Sequence, residues 1–230
     1  MWNGKMKAVT FSYDDGVIQD GRLVDMFNRY GLKCTFNLNS GIQSKANFWY
    51  DRMGTKVEHM NVRGLKELYV GHEIAAHTLT HPLLEELDDE TIYNEIWQDK
   101  CILEDRFGQN IVGMAYPYGT YNDSIIKIAR ECGIKYARTV EYTEDFILPD
   151  EPLKLAATCH HKNTRLMELA DKFIGLEPKQ PAMFYVWGHS YEFDTYDNWD
   201  MMEEFCKKIS GRDDIFYGTN AEVLLGVEKV

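Results

Sequence analysis

The chain has 230 residues, 44% hydrophobic and 13% aromatic, enough to bury a full core in one domain of ordinary size. A formal net charge of -12 argues against a nucleic-acid partner, which requires clustered Lys and Arg. The opening Met-Trp-Asn-Gly-Lys-Met-Lys lacks the apolar core of a signal peptide and no apolar run approaches membrane-spanning length, so a soluble, cytoplasmic protein with no membrane partner is expected.

Residues 7–11 suit a buried strand, and 20–30 an amphipathic helix that buries Leu23, Val24, Met26 and Phe27. Between them, Ser12-Tyr13-Asp14-Asp15-Gly16 puts two carboxylates at the strand's end. Neighbours on a strand face opposite ways, so both reach one site only if the chain bends there, which Gly16 permits. A bound cation or a shared proton would relieve two adjacent carboxylates; the bland alternative is an Asp-Gly turn.

Residues 33–38 read as a second strand. The connection 39–55 has no clear period, and its Phe48, Trp49 and Tyr50 either stack on a ligand or simply cover the core. A short helix is predicted over 61–68, with Gly71 as its C-cap. The short strand 73–76 leads into His77-Thr78-Leu79-Thr80-His81. If that segment is helical, the two histidines share a face about 6 Å apart, which suits two ligands of one metal ion and also arises by chance.

Residues 88–107 give the clearest helix, capped by Asp88 or Asp89, with an acidic start that complements the helix dipole. Strand 111–115 closes on Tyr116-Pro117-Tyr118-Gly119, which either presents Tyr118 or is an ordinary turn into helix 122–132. Two short strands, 135–140 and 153–158, follow. The second ends at Cys159-His160-His161, where alternation sends the rings apart, so a surface role is expected for at least one. After helix 164–173, the most apolar strand, 182–187, exits at Gly188-His189, a proton donor or a hydrogen-bonded plug. Helix 197–210, strand 215–217 and helix 220–227 complete the chain. Five cysteines without a Cys-x-x-Cys pair read as reduced, mostly buried thiols.

Some eight strands alternating with helices predict an α/β fold: a distorted (β/α) barrel of seven to eight parallel strands, one domain over residues 1–230, with a doubly wound open sheet as the competitor. Functional groups then sit at the C-terminal ends of the strands. Asp14, Asp15, His77, His81, Tyr118, Arg138, Trp187 and His189 all fall there.

In this order and at these separations, Ser-Tyr-Asp-Asp-Gly (12–16), His-Thr-Leu-Thr-His (77–81), Tyr-Pro-Tyr-Gly (116–119) and Trp-Gly-His (187–189) resemble the signature blocks of the polysaccharide deacetylase family, the nodulation-protein-B-like carbohydrate esterases. The resemblance implies that Asp15, His77 and His81 hold a divalent metal, usually zinc, with Asp14 as general base. It further implies that the backbone N–H of Tyr118 binds the oxyanion and that His189 is the general acid. Three protein ligands leave a coordination position open, as a catalytic metal needs. The implied reaction removes an acetyl group from an N-acetylated sugar or related molecule, so a small-molecule or oligosaccharide substrate is the expected partner. Hydrolysis of another, possibly cyclic, amide and non-catalytic carbohydrate or partner binding are the alternatives.

Two departures from the family pattern stand out. Ala115-Tyr116-Pro117-Tyr118 occupies the place of Arg-x-Pro-Tyr, and the Asp-rich block that orients the acid histidine is not recognisable between 133 and 149. Arg138, on the strand next in chain order to Ala115, is long enough to replace the missing arginine and reach Asp14; otherwise it bridges the acidic segment 141–145 at the surface.

Overall fold

In the computed structural model, which describes residues 2–42, 47–61 and 65–226, strand β1 (Lys7–Asp14) is buried along its whole length and anchors the sheet. After it come α1 (Asp20–Arg29), β2 (Thr35–Leu38), the antiparallel pair β3 (Phe48–Tyr50) and β4 (Lys56–Glu58), α2 (Leu65–Leu68) and β5 (Glu73–Ala76). The middle of the chain supplies α3 (Asp89–Phe107), β6 (Gly113–Ala115), α4 (Asp123–Glu131), β7 (Tyr136–Tyr142), β8 (Leu155–Ala157) and β9 (Cys159–His160). Then follow α5 (Leu166–Ile174), β10 (Ala182–Gly188), α6 (Glu192–Thr195), α7 (Trp199–Ile209), β11 (Ile215–Tyr217) and α8 (Asn220–Leu224).

Parallel pairing runs β7–β6–β5–β2–β1–β10. The segment 155–160 closes this ring, because β8 pairs with β7 and β9 pairs with β10. Thr158 is the splice between them: its N–H donates to Tyr185 O at 2.8 Å and its hydroxyl accepts from Tyr185 N–H at 3.0 Å. The result is the expected α/β barrel, a seven-membered ring with β11 as an eighth strand that pairs with the start of β1 while β2 takes the end.

Both faces of these strands are covered, which is why they read as near-continuous apolar runs. The outward set Val9, Phe11, Tyr13, Phe36, Leu38, Ile74, Ala76, Ala137, Phe184 and Val186 packs in one core with the helices. The alternate residues Ala8, Tyr136, Met183, Tyr185 and Trp187 form a second core inside the barrel. By the two-residue period of a strand, Thr10, Ser12, Asp14, Thr35, Asn37 and Arg138 also point inward, and all six are buried. Helix α8 plugs the bottom, where Asn220 bonds Thr10 and Tyr185 and Trp2 Nε1 donates to Val223 O at 2.9 Å. The polar interior therefore lies along the barrel axis and leads up to the strand ends.

The helices over 88–107 and 122–132 appear with Asp88 and Asn122 as side-chain N-caps. The connection 39–55 departs from the reading without period: its aromatic residues form β3, which pairs with β4, because Asp51 caps the turn by accepting the N–H groups of Met53 and Thr55 at 2.8 Å. The helix expected over 61–68 is seen at Leu65–Leu68; 62–64 lie outside the described residues. The five cysteines are unpaired, and four are buried.

Candidate active site

The strand ends open into a cavity of about 530 Å³ lined by Asp14, Asp15, His77, His81 and His189, with Trp49, Tyr118, Trp187 and Tyr191 among its aromatic walls. This size suits a small ligand. The bend expected between the two aspartates falls at Asp15 itself, whose φ is +79°, and Gly16 continues it at +62°. Asp14 therefore keeps its inward strand position, while Asp15 is swung to the same side.

His77 and His81 do meet, though not on a helix: the segment after β5 is an irregular turn with Thr78 at φ +65° and His81 at +58°. Buried polar groups impose that turn. Asn39 donates to the carbonyls of His77 and Thr78, and Asp99 on α3 accepts the N–H groups of His77 and Ser40 at 3.0 and 2.8 Å. His77 Nδ1 lies 2.8 Å from Ala115 O, and a carbonyl only accepts, so Nδ1 carries the proton and Nε2 offers a lone pair. That Nε2 is 3.7 Å from Asp15 Oδ1, and His81 Nε2 is 3.9 Å from the same oxygen. Burial pushes the His77 imidazole down to about 4, so it is neutral, the form a metal requires.

Ala115 and Arg138 are register partners on β6 and β7. Arg138, 1% exposed, bonds Asp14 Oδ2, donates to Ser12 Oγ at 3.3 Å and stacks 4.2 Å from the Trp187 ring centre. It does not reach the surface segment 141–145. Asn37 donates to the other oxygen of Asp14 at 2.7 Å. Burial would raise the Asp14 carboxyl, yet the Arg138 guanidinium, with His77 and His189, brings it down to about 2.

His189 Nε2 faces Asp14 Oδ2 at 3.9 Å and Asp15 Oδ2 at 4.0 Å, and its Nδ1 faces Glu192 Oε2 at 3.4 Å. Burial alone would lower this imidazole; the bond to Glu192 and the charges of Asp15 and Asp14 instead raise it to about 9. Tyr118 sits on a strained turn at φ +57°, its ring 4.8 Å from that of His81. Gly119 beside it has φ +75°, and a Cβ there would meet Val140 at 2.5 Å, so only glycine makes this turn.

His160 and His161 depart from the expectation that one ring at most faces inward. β9 ends at His160 and the chain turns, so strand alternation lapses, and both rings converge on Glu192, 3.1 and 3.3 Å from Oε2. Glu192, Asn37 and Asp99 are the residues that the sequence reading missed. Asn37 had a usable signal, since it shares Asp14's inward parity on the adjacent strand.

A sequence profile described as Polysaccharide deacetylase matches residues 3–137, more than half of the chain. The chain belongs to the polysaccharide deacetylase family. Over 137 residues it is 26% identical to the putative polysaccharide deacetylase YxkH of Bacillus subtilis (strain 168), covering 59% of this chain and 45% of that protein. Over 143 residues it is 25% identical to the peptidoglycan-N-acetylglucosamine deacetylase PgdA of Listeria monocytogenes serotype 1/2a (strain 10403S), covering 61% of this chain and 27% of that one. The chain thus spans less than half the length of these relatives. Its fold is similar to that of a putative polysaccharide deacetylase from Mycobacterium smegmatis, with a TM-score of 0.69 at 16% identity over 97% of this chain and 91% of the other.

Members of the polysaccharide deacetylase family are hydrolases that typically use a divalent metal. The donor set here fits such an ion: one carboxylate and two imidazoles have ligand atoms within 4.8 Å of one another, and the His77 tautomer leaves Nε2 free. Among the described residues, no helix is long and apolar enough to cross a membrane.

Proposed function

We propose that this chain is a metal-dependent deacetylase of an N-acetylated sugar or related small or oligomeric substrate. The observation that carries the reading is the convergence of Asp14, Asp15, His77, His81 and His189 on one aromatic-walled cavity. A non-catalytic binding barrel would not need a carboxylate and an imidazole on opposite sides of a ligand set.

Asp15, His77 and His81 would hold the ion, zinc being the choice that two imidazoles and a carboxylate favour. Bound there, a divalent ion supplies polarisation of the amide carbonyl and acidification of water. Asp14, kept ionised by Arg138, takes the proton of the attacking water. The N–H of Tyr118 binds the developing oxyanion, and His189, across the cavity, gives its Nε2 proton to the departing amine. Trp49, Trp187 and Tyr191 offer apolar faces to a sugar ring. Acetate and a free amine leave, with no covalent intermediate. Cytoplasmic residence is part of the same proposal, to be checked by fractionation of cells expressing the native gene.

The test is acetate and amine release by zinc-loaded protein from acetylated mono- and oligosaccharides, acetylated peptides and cyclic amides. Release from the sugars is expected. Turnover confined to peptides or cyclic amides overturns the substrate class, and none with any substrate overturns the catalytic reading.

A further inference from the structure

Behind His189 lies a second cluster of donors, His160, His161 and Glu192, separate from the group formed by Asp15, His77 and His81. Glu192 Oε2 is 3.1 Å from His160 Nε2, 3.3 Å from His161 Nε2 and 3.4 Å from His189 Nδ1, and the His189 backbone N–H points at it from 3.3 Å. The other oxygen, Oε1, is held by the Lys162 ammonium. Burial would raise this carboxyl, which is 7% exposed, but the bonds from His160 and His189 hold it far below the usual carboxylate range.

Two occupants of the cluster are conceivable, a cation or protons. Ligands held about 2.0 Å from a tetrahedral zinc are about 3.3 Å apart, so the spacing alone admits a metal. The His160 tautomer decides against it. The backbone N–H of Lys162 donates to His160 Nδ1 at 3.1 Å, so that nitrogen is an acceptor and the ring proton sits on Nε2, aimed at Glu192. With a proton on that side and an ammonium on Oε1, the carboxylate is already satisfied. The floor is rigid as well: the fully buried His161 stacks on Phe193, ring centres 4.2 Å apart, and any Cβ at Gly188 would meet its Nδ1 at 2.1 Å.

We infer that Glu192 is the positioning residue of His189, clamped by Lys162 and His160 so that it accepts the hydrogen bond of Nδ1–H and leaves Nε2 facing the cavity. The inference rests on the proposed role of His189. A carboxylate three residues after the histidine thereby does the work for which no Asp-rich block is recognisable in the sequence. The Nδ1–H tautomer is the one in which Nε2 can exchange a proton with substrate.

The test compares zinc-loaded Glu192→Gln and Glu192→Asp with the parent, using kinetics and the 15N spectrum of labelled histidine. On an N-acetylated amino sugar, Glu192→Gln should lower kcat at least about tenfold while KM stays within about twofold, because the acid acts in the transition state. On 4-nitrophenyl acetate, whose phenolate leaves without a proton, the fall should be much smaller, and Glu192→Asp should recover part of the loss on the sugar. In spectra recorded at a pH high enough for the ring to be neutral, the His189 proton should sit on Nδ1 in the parent and be divided between Nδ1 and Nε2 in Glu192→Gln. The spectra need no turnover, so they judge Glu192 even if acetylated sugars prove not to be substrates. An unchanged tautomer, equal falls on both substrates, or a second equivalent of zinc that Glu192→Gln loses would each overturn the inference. Should Glu192→Gln fail to fold, Lys162→Met removes a half-exposed clamp, and the same selective loss is expected at about threefold, the scale of one partly exposed ion pair.

Discussion

Arg138 stands on the opposite wall of the barrel from Asp14, and its guanidinium crosses the interior to close on that carboxylate. The pair is almost fully buried, so the charge of one sets the protonation of the other. Removing the guanidinium withdraws what favours the ionised carboxylate, and the pKa of Asp14 rises. In Arg138→Met, where the guanidinium no longer counters burial, the acidic limb should therefore rise from about 2 into the kcat/KM profile above pH 4, with a smaller displacement in Arg138→Lys. Rates measured from pH 4 to 9 would show it; an unmoved limb would separate Arg138 from the base.

Metal binding should depend on the two histidines of the irregular turn. The parent is expected to take up one equivalent of zinc. His77→Ala and His81→Ala should each weaken that binding by at least about tenfold, the scale on which disturbing a metal site is felt. Elemental analysis and competition titration against a chelator are the measurements, and parent-like affinity in both variants would move the site elsewhere.

Asp14→Asn should separate binding from chemistry. The amide keeps the shape and is not one of the three proposed ligands, so zinc content should hold while turnover drops roughly a hundredfold or more, as for loss of a general base. Near-parent activity would mean that another group takes the water's proton.

A fourth expectation concerns stability. His72 is buried; its Nδ1 accepts the Cys34 N–H at 3.2 Å, and burial pushes its pKa down to about 4. The unfolded chain binds this proton first, near pH 6.5, so the contribution is complete above that value and is lost as pH falls toward 4. The loss is about 3 kcal/mol over that window. His72→Asn keeps an acceptor near the Nδ1 position and cannot charge, so urea unfolding at pH 7 and pH 4.5 should show a flatter dependence than in the parent. An equally steep dependence would place the titrating group elsewhere.

The barrel and the convergence of Asp14, Asp15, His77, His81 and His189 were legible because strand-then-helix alternation puts strand ends together and leaves ionisable residues at them. Arg138 was legible from chain order alone, since Ala115 and Arg138 belong to consecutive strands. What stayed hidden depended on where strands stop. His160 and His161 look divergent if β9 continues, and converge because it ends. Glu192 follows the last site strand on a helix of four residues, too short for any periodicity to mark its inward side. The turn at 77–81 looked helical because the buried carboxylate that bends it, Asp99, lies a helix away.

Strand β1 takes its partners from far along the chain: Lys7 is in register with Ala182 on one edge and with Ile215 on the other. Until residues beyond 182 have left the ribosome, one whole edge of this apolar strand is open, and open edges are where chains aggregate. The stretch 3–137, though it carries the family's profile, is therefore not a folding unit. Closure of the ring at β10 is a long-range event expected to limit the folding rate, and a fragment ending before Ala182 should need a chaperone to stay in solution.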